Sequence, residues 1–207
     1  MSHVILPDAT EKLLNKLEGV TWLRSFYLAG GTALALQYQH RESIDLDWFT
    51  EKSFQTAPLI KKLSELGKFT LIKTEENTVE GILDKVKLSF MTYPYPMVAP
   101  EQSFLKNIRL ASVHDIAIMK LGAIAGRNTK KDFIDLYLYL HREQKTLPEL
   151  FVLLTKKFKG IEYDYYHLFK SLMYFVEADD EPMPRMLEKV DWKNVKAYFV
   201  KETKKMM

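Results

Sequence analysis

The chain contains no cysteine. That excludes disulfides, thiolate metal sites and a cysteine nucleophile, and it fits a reducing compartment such as the cytoplasm. Glycine and proline are sparse, eight of each in 207 residues, so the adjoining pair Gly30-Gly31 and the three prolines of YPYPMVAP (93–100) stand out as punctuation. No uncharged stretch approaches the roughly 20 apolar residues that cross a bilayer. The opening MSHVILPDATEKLLNKLEG lacks the basic start and apolar core of a signal peptide, so no membrane partner is expected. An excess of one charge is also missing: the net charge is +3, with 11 Lys+Arg against 12 Asp+Glu in residues 1–100 and 19 against 15 in residues 101–207. The basic bias of the second half is compatible with an anionic partner, and a solvated surface produces the same bias.

The hydrophobic spacing predicts an α/β first half and a helical second half. Asp8–Leu17 has a helical stripe with Asp8 as its cap, Phe26–Ala29 reads as a buried strand, and Thr32–Gln39 as a helix after the Gly-Gly break. Ile44–Phe49 returns as a strand, Pro58–Leu66 as a helix, and Phe69–Lys73 and Asp84–Met91 as two strands around a turn region at Asn77 and Gly81. The proline-rich YPYPMVAP divides the chain into 1–100 and 101–207, because proline removes donors a sheet needs. Beyond a last strand at Ile108–Ala111, helices are predicted at Ser112–Ala125, Thr129–His141, Pro148–Phe158, Tyr163–Val176 and Asp191–Thr203, with EADDEPMP (177–184) as an acidic loop.

The stretch GGTALALQYQHRESIDLDWF (30–49) carries the first chemical signal. Strand alternation sends Ser43, Asp45 and Asp47 to one face and the apolar Ile44, Leu46 and Trp48 to the other. Two adjacent carboxylates repel, so they require solvent, a cation or a metal. A Gly-Gly turn feeding a helix offers unpaired N–H groups and the positive end of the helix dipole, which suit phosphate. Separately, a D-x-D is an ordinary strand edge and a Gly-Gly an ordinary turn. Thirteen residues between Gly31 and Asp45 let one helix leave the sheet and return as the adjacent strand, which brings both signals to one edge.

This glycine-rich turn followed by D-x-D resembles the signature of the nucleotidyltransferase superfamily, in the form found in the AbiEii/AbiGii toxin family. The likeness extends through HDIAIMKLGAIAGRNTKKDFIDLYLYL, SLMYFVEADDEPMP and WKNVKAYF, and so covers most of the chain. It implies a nucleotidyltransferase-like small mixed sheet flanked by helices, an α/β (α+β) fold, with a helical C-terminal subdomain that completes the site. It also implies transfer of a nucleoside monophosphate from an NTP to a hydroxyl on RNA, tRNA included, or on protein, in a toxin with an antitoxin partner. Asp45 and Asp47 would hold Mg²⁺ or Mn²⁺, and Gly30, Gly31 and Thr32 would cradle the triphosphate.

Lys120 is the only charged residue between Ile116 and Gly126, and a buried lysine must meet an anion, lose its charge or snorkel to the surface. The resemblance assigns Lys120 to the nucleotide phosphates and Asp135 to orienting it. Arg127, near the same face, is a further candidate for phosphate, and Arg41, beside the aspartates, for phosphate or carboxylate; Lys130 and Lys131 read as a solvated helix end. Thr129-Lys130-Lys131-Asp132 has the form of a capping box and Ser112–Asp115 is cap-like, which would make Asp132 and Asp115 structural. The family's third carboxylate, on a later strand, falls at Ser89 of VKLSF, with Asp84 a poor substitute. Ser89 leaves open an alternative, a degenerate nucleotide- or RNA-binding module without turnover. A glycosyltransferase using D-x-D is a third reading, which the short chain and the Gly-Gly position fit poorly.

Overall fold

A computed structural model describes residues 5–207, so Met1–Val4 of the segment read for a leader lie outside the described residues. The chain divides after Ser112 into two compact units. The division expected from the prolines lies twelve residues earlier, at Pro100. A hairpin follows the prolines, and its second strand pairs with the central sheet.

In the first unit α1 (Asp8–Leu17) and a 3-10 turn (Thr21–Ser25) precede β1 (Tyr27–Ala29), α2 (Gly30–Tyr38), β2 (Leu46–Thr50) and α3 (Thr56–Leu66). Strands β3 (Phe69–Glu75), β4 (Thr78–Leu83), β5 (Val86–Thr92), β6 (Gln102–Leu105) and β7 (Ile108–Leu110) follow. They form a mixed sheet of order β3-β4-β5-β2-β1-β7-β6. β1 runs antiparallel to β2, while β2 with β5 and β1 with β7 are parallel. Leu46, Trp48, Leu88 and Phe90 are fully buried on one face, which leaves the alternate positions Asp47 and Ser89 on the other.

The turn region expected between two strands contains a strand of its own. β4 returns through Asn77 and leaves through Asp84-Lys85, all three at positive φ, as tight hairpins demand. Asp84 is therefore a turn residue and not the start of a strand; its carboxylate accepts from Lys16 Nζ (2.7 Å) and Lys68 N (3.0 Å). Those bonds hold it below the usual carboxylate range, Lys16 foremost. Asp8 does not cap α1: Pro7 occupies the cap, and Asp8 adds negative charge to the first turn.

The second unit is helical: α4 (Val113–Arg127), α5 (Lys130–Arg142), α6 (Leu147–Lys157), α7 (Tyr165–Leu172), α8 (Val176–Asp180) and α9 (Trp192–Lys204). Phe133, Leu136 and Tyr139 of α5 are fully buried, as are Leu172, Ala178 and Phe199. Thr146 and Glu149 form a complete capping box on α6, and Asp164 and Asp191 cap α7 and α9. The single helix expected over 163–176 stops at Leu172. The first half of the expected acidic loop is helical instead, because Val176–Asp180 winds one turn that buries Ala178.

Candidate functional site

The junction of β1 and α2 sets the first group of side chains. Gly30 opens the helix at φ 66°, a conformation that costs glycine nothing, and a Cβ there would lie 2.7 Å from Asp47 Oδ2. The Asp47 carboxylate therefore rests directly on the Gly30 main chain. Its other oxygen, Oδ1, accepts a 2.7 Å hydrogen bond from the Ser89 hydroxyl. Asp47 forms no ion pair with any described residue. Gly31 is constrained by proximity: a Cβ would collide with the Arg41 guanidinium and press on Ser43 Oγ. Thr32 is buried at the base, hydrogen-bonded to the Asp45 carbonyl and to the Ser43 hydroxyl, the latter at 2.8 Å.

The structure thus brings Gly30, Gly31, Thr32, Arg41 and Asp47 together, with Asp45 tied to them through its main chain. Two details of the expected strand change. β2 begins at Leu46, so Ile44 is not an anchor but is 56% exposed, and Asp45 sits just before the strand because its carbonyl is held by Thr32. The helix before them, α2, stops at Tyr38, capped by Gln39 in the left-handed conformation, and Arg41 beyond it is buried against Gly31.

Ser89 stands opposite Asp47 in the parallel β2–β5 register, and Glu80 of β4 stands opposite Ser89 in the next ladder. Asp47, Ser89 and Glu80 form one row across three strands on one face. Sequence reasoning missed Glu80, which only the Asp84-Lys85 hairpin register could have placed. Among the described residues no three or more His, Asp or Glu side chains group as a metal-binding cluster. Two half-exposed carboxylates with hydroxyl neighbours are a hard-oxygen donor set. They suit an ion such as Mg²⁺, which takes one or two protein carboxylates and completes its shell with water and phosphate.

The second group lies between α4 and α5. Lys120 Nζ meets Asp132 Oδ1 at 2.6 Å and Asp135 Oδ2 at 2.7 Å, all three side chains at most 4% exposed. Arg127 Nε reaches Asp132 Oδ2 at 2.8 Å while its side chain stays 57% exposed, and the Thr129 hydroxyl donates to the same oxygen at 2.6 Å. Asp132 is thus no helix cap: the Thr129 hydroxyl donates to its carboxylate, and the Thr129 side chain accepts no bond from the backbone N–H groups at the start of α5. Burial would raise its pKa, but the Lys120 charge and the Arg127 hydrogen bond and charge bring it to about 2. Lys120 neither snorkels nor loses its anions.

Asp115 is a buried ion partner, bound to Lys157 Nζ at 2.6 Å with both side chains fully buried, which suits the structural part expected of it. Lys130, expected at a solvated helix end, is buried, and its backbone N–H donates to Glu181 Oε2 at 2.7 Å. Only Lys131 of that pair is half-exposed.

A model of the family described as nucleotidyl transferase AbiEii toxin, type IV TA system, matches residues 12–205. An uncharacterised protein of Aquifex aeolicus is 35% identical over 207 residues, covering 98% of each chain. Among solved structures, a nucleotidyltransferase of H. pylori superposes with a TM-score of 0.54 at 18% identity, over 95% of this chain and 92% of that one. MenT4, a nucleotidyltransferase toxin of Mycobacterium tuberculosis, does so with a TM-score of 0.57 at 14% identity, over 94% and 81%. At these identities the superpositions show a shared fold.

Proposed function

Since this chain belongs to the AbiEii nucleotidyltransferase toxin family of type IV toxin–antitoxin systems, we propose that it moves a nucleoside monophosphate from an NTP to a hydroxyl on RNA or protein. A cognate antitoxin is its proposed partner. The observation that carries this reading is the seat of the Asp47 carboxylate on the Gly30 main chain at the first turn of α2. There, carboxylate oxygens and helix N–H groups serve one bound triphosphate.

Asp45 and Asp47 would hold Mg²⁺ or Mn²⁺, which when bound supplies charge neutralisation at the reacting phosphate. Gly30 and Gly31 let the triphosphate approach the backbone, and Thr32 fixes the 43–45 segment from below through its bonds to Ser43 and Asp45. Ser89 donates its proton to Asp47 Oδ1, which fixes the rotamer of that carboxylate and leaves Oδ2 beside Gly30. Arg41, packed on Gly31, adds a fixed positive charge beside the turn. In the helical unit, Arg127 is the exposed cation proposed to bind phosphate. Lys120 and Asp135 hold it through Asp132, so the role first given to Lys120 becomes one of positioning.

The test is transfer of label from each of the four NTPs, with Mg²⁺ or Mn²⁺, to total RNA, comparing the wild type with Asp45→Ala/Asp47→Ala. Equal transfer by both would remove the diad from the mechanism. Ser89, standing in register with Asp47 where a third carboxylate was expected, favours one other reading, a binding module without turnover. Calorimetry separates the two, because pyrophosphate release eliminates the module and nucleotide binding without consumption eliminates the transferase.

A further inference from the structure

The first unit contains a concave site lined by none of the diad residues. A cleft of about 810 Å³ opens between the 3-10 turn, the segment after β2, the start of α3 and the β7 side chain Arg109. Its volume falls within the range of small-ligand sites, roughly 300–1,000 Å³. It lies at the far end of β2: Thr50, which lines it, is three residues beyond Asp47, ~10 Å along the strand, and points to the opposite face.

Three features of the lining select a ligand. Arg24, Lys52, Lys62 and Arg109 outnumber Glu51 and Glu101, and Arg109 already neutralises Glu101. Lys52 and Lys62 form no ion pair with any described residue; the Lys62 ammonium instead sits 5.6 Å from the centroid of the Trp22 ring. Next, α3 begins in the cleft with Gln55 as a cap that makes no side-chain bond, and no acidic residue lies in the first turn. Its first N–H groups and the positive end of its dipole are therefore available to an anion. Finally, Phe54 is half-exposed in the lining and braced edge-on by Phe26, with ring centroids 5.4 Å apart. A rigid flat ring beside unpaired cations and a helix N-terminus matches a phosphate joined to an aromatic base.

We propose that this cleft binds a nucleotide unit, with the base on Phe54 and the phosphate between Lys52, Lys62 and the start of α3. The nucleotide is either a free one or a residue of a single strand, and the recognition chemistry is the same for both. The assignment stands independently of the diad.

The experiment measures binding of a fluorescently labelled single-stranded RNA against salt concentration, with the intact protein. Lys52→Glu/Lys62→Glu is expected to weaken binding at least tenfold and to reduce the slope of log affinity against log salt by about 1.4, the equivalent of two phosphates on a single strand. Phe54→Ala is expected to weaken binding without changing that slope. Lys12→Glu/Lys68→Glu, an equal charge change outside the cleft, is the control. Unchanged binding in the Lys52/Lys62 variant, or an equal loss in the control, overturns the proposal. Asp45→Ala/Asp47→Ala should retain strand binding, and its loss there would return the ligand to the diad and overturn the cleft as well. In that variant, displacement of the strand by millimolar nucleoside monophosphate assigns the cleft to free nucleotides, and resistance to displacement assigns it to a strand.

Discussion

Two groups of aspartates, one in each unit, use the same side chain in opposite ways. Asp132 and Asp135 are fully buried, and their charge is met within 2.7 Å by Lys120 and, for Asp132, by Arg127 at 2.8 Å as well. Asp47 is half-exposed, makes no ion pair with a described residue, and is oriented by one neutral hydroxyl. A carboxylate whose charge is already cancelled stabilises a fold but has little left for a ligand. A carboxylate whose charge is left standing destabilises its surroundings slightly and is ready to meet a cation. The contrast therefore predicts that stability responds to one group and activity to the other.

The largest expected effect tests the buried side. Asp132→Ala takes away one of the carboxylates that meet Lys120 and the carboxylate that binds Arg127, and breaking such a buried pair costs about 3–5 kcal/mol. A loss of unfolding free energy in urea of less than about 1 kcal/mol would mean that the cluster does not hold α4 to α5. The exposed side is tested by Asp47→Asn, which keeps the shape and removes the charge. Nucleotidyl transfer should fall about a hundredfold or more, while stability changes by less than about 1 kcal/mol. A variant that loses stability and activity together would erase the distinction between the two groups.

How much of this contrast was legible beforehand depends on the distance between residues in the chain. Gly30, Gly31, Asp45 and Asp47 lie within one short strand–helix–strand passage, so their periodicity and turn chemistry could be read locally, and the structure seats Asp47 on Gly30. The alternating helices and strands of the first half were likewise visible, because each buries a regular stripe. Asp132 was misread because Thr129 and Asp132 satisfy the local pattern of a capping box, and only the packing of α4 on α5 shows that Lys120 and Arg127 claim the carboxylate first. The partner of Asp115 was out of reach in the same way, since Lys157 is 42 residues away. β4 and Glu80 were hidden by the positive φ of Asp84 and Lys85, since Asp84 also fits the start of a strand and lysine has no preference for that conformation. The cleft was invisible because its walls come from segments scattered between Trp22 and Arg109.

Acid sharpens the comparison next. The pKa of Asp132 is lowered in the folded chain to about 2 from an ordinary value of 3.8. A depressed carboxylate contributes stability that is fully present above the unfolded pKa and is lost as pH falls through the folded one. The contribution of Asp132, on the order of 2 kcal/mol, should therefore disappear between about pH 4 and pH 2. Wild type and Asp132→Asn should converge in stability across that window, as read by thermal unfolding at each pH. If their separation persists to pH 2, the ion cluster is not what the substitution removed.

The smallest effect is expected at Ser89, where the two uses of carboxylate meet. Ser89→Ala removes one 2.7 Å hydrogen bond to Asp47 and should cost about 1 kcal/mol, with a modest fall in transfer as the carboxylate loses its fixed rotamer. Ser89→Asp is the more informative partner. It sets a second carboxylate directly across from Asp47 in the β2–β5 register, where two like charges on adjacent strands repel. Without divalent metal this variant should be less stable than Ser89→Ala, and added Mg²⁺ should restore it by more than it restores the wild type, because an ion shared by the two carboxylates relieves their repulsion. A thermal shift that Mg²⁺ leaves equal in the two proteins would place the ion away from Asp47 and leave Ser89 as a hydroxyl that merely fills its place in the sheet.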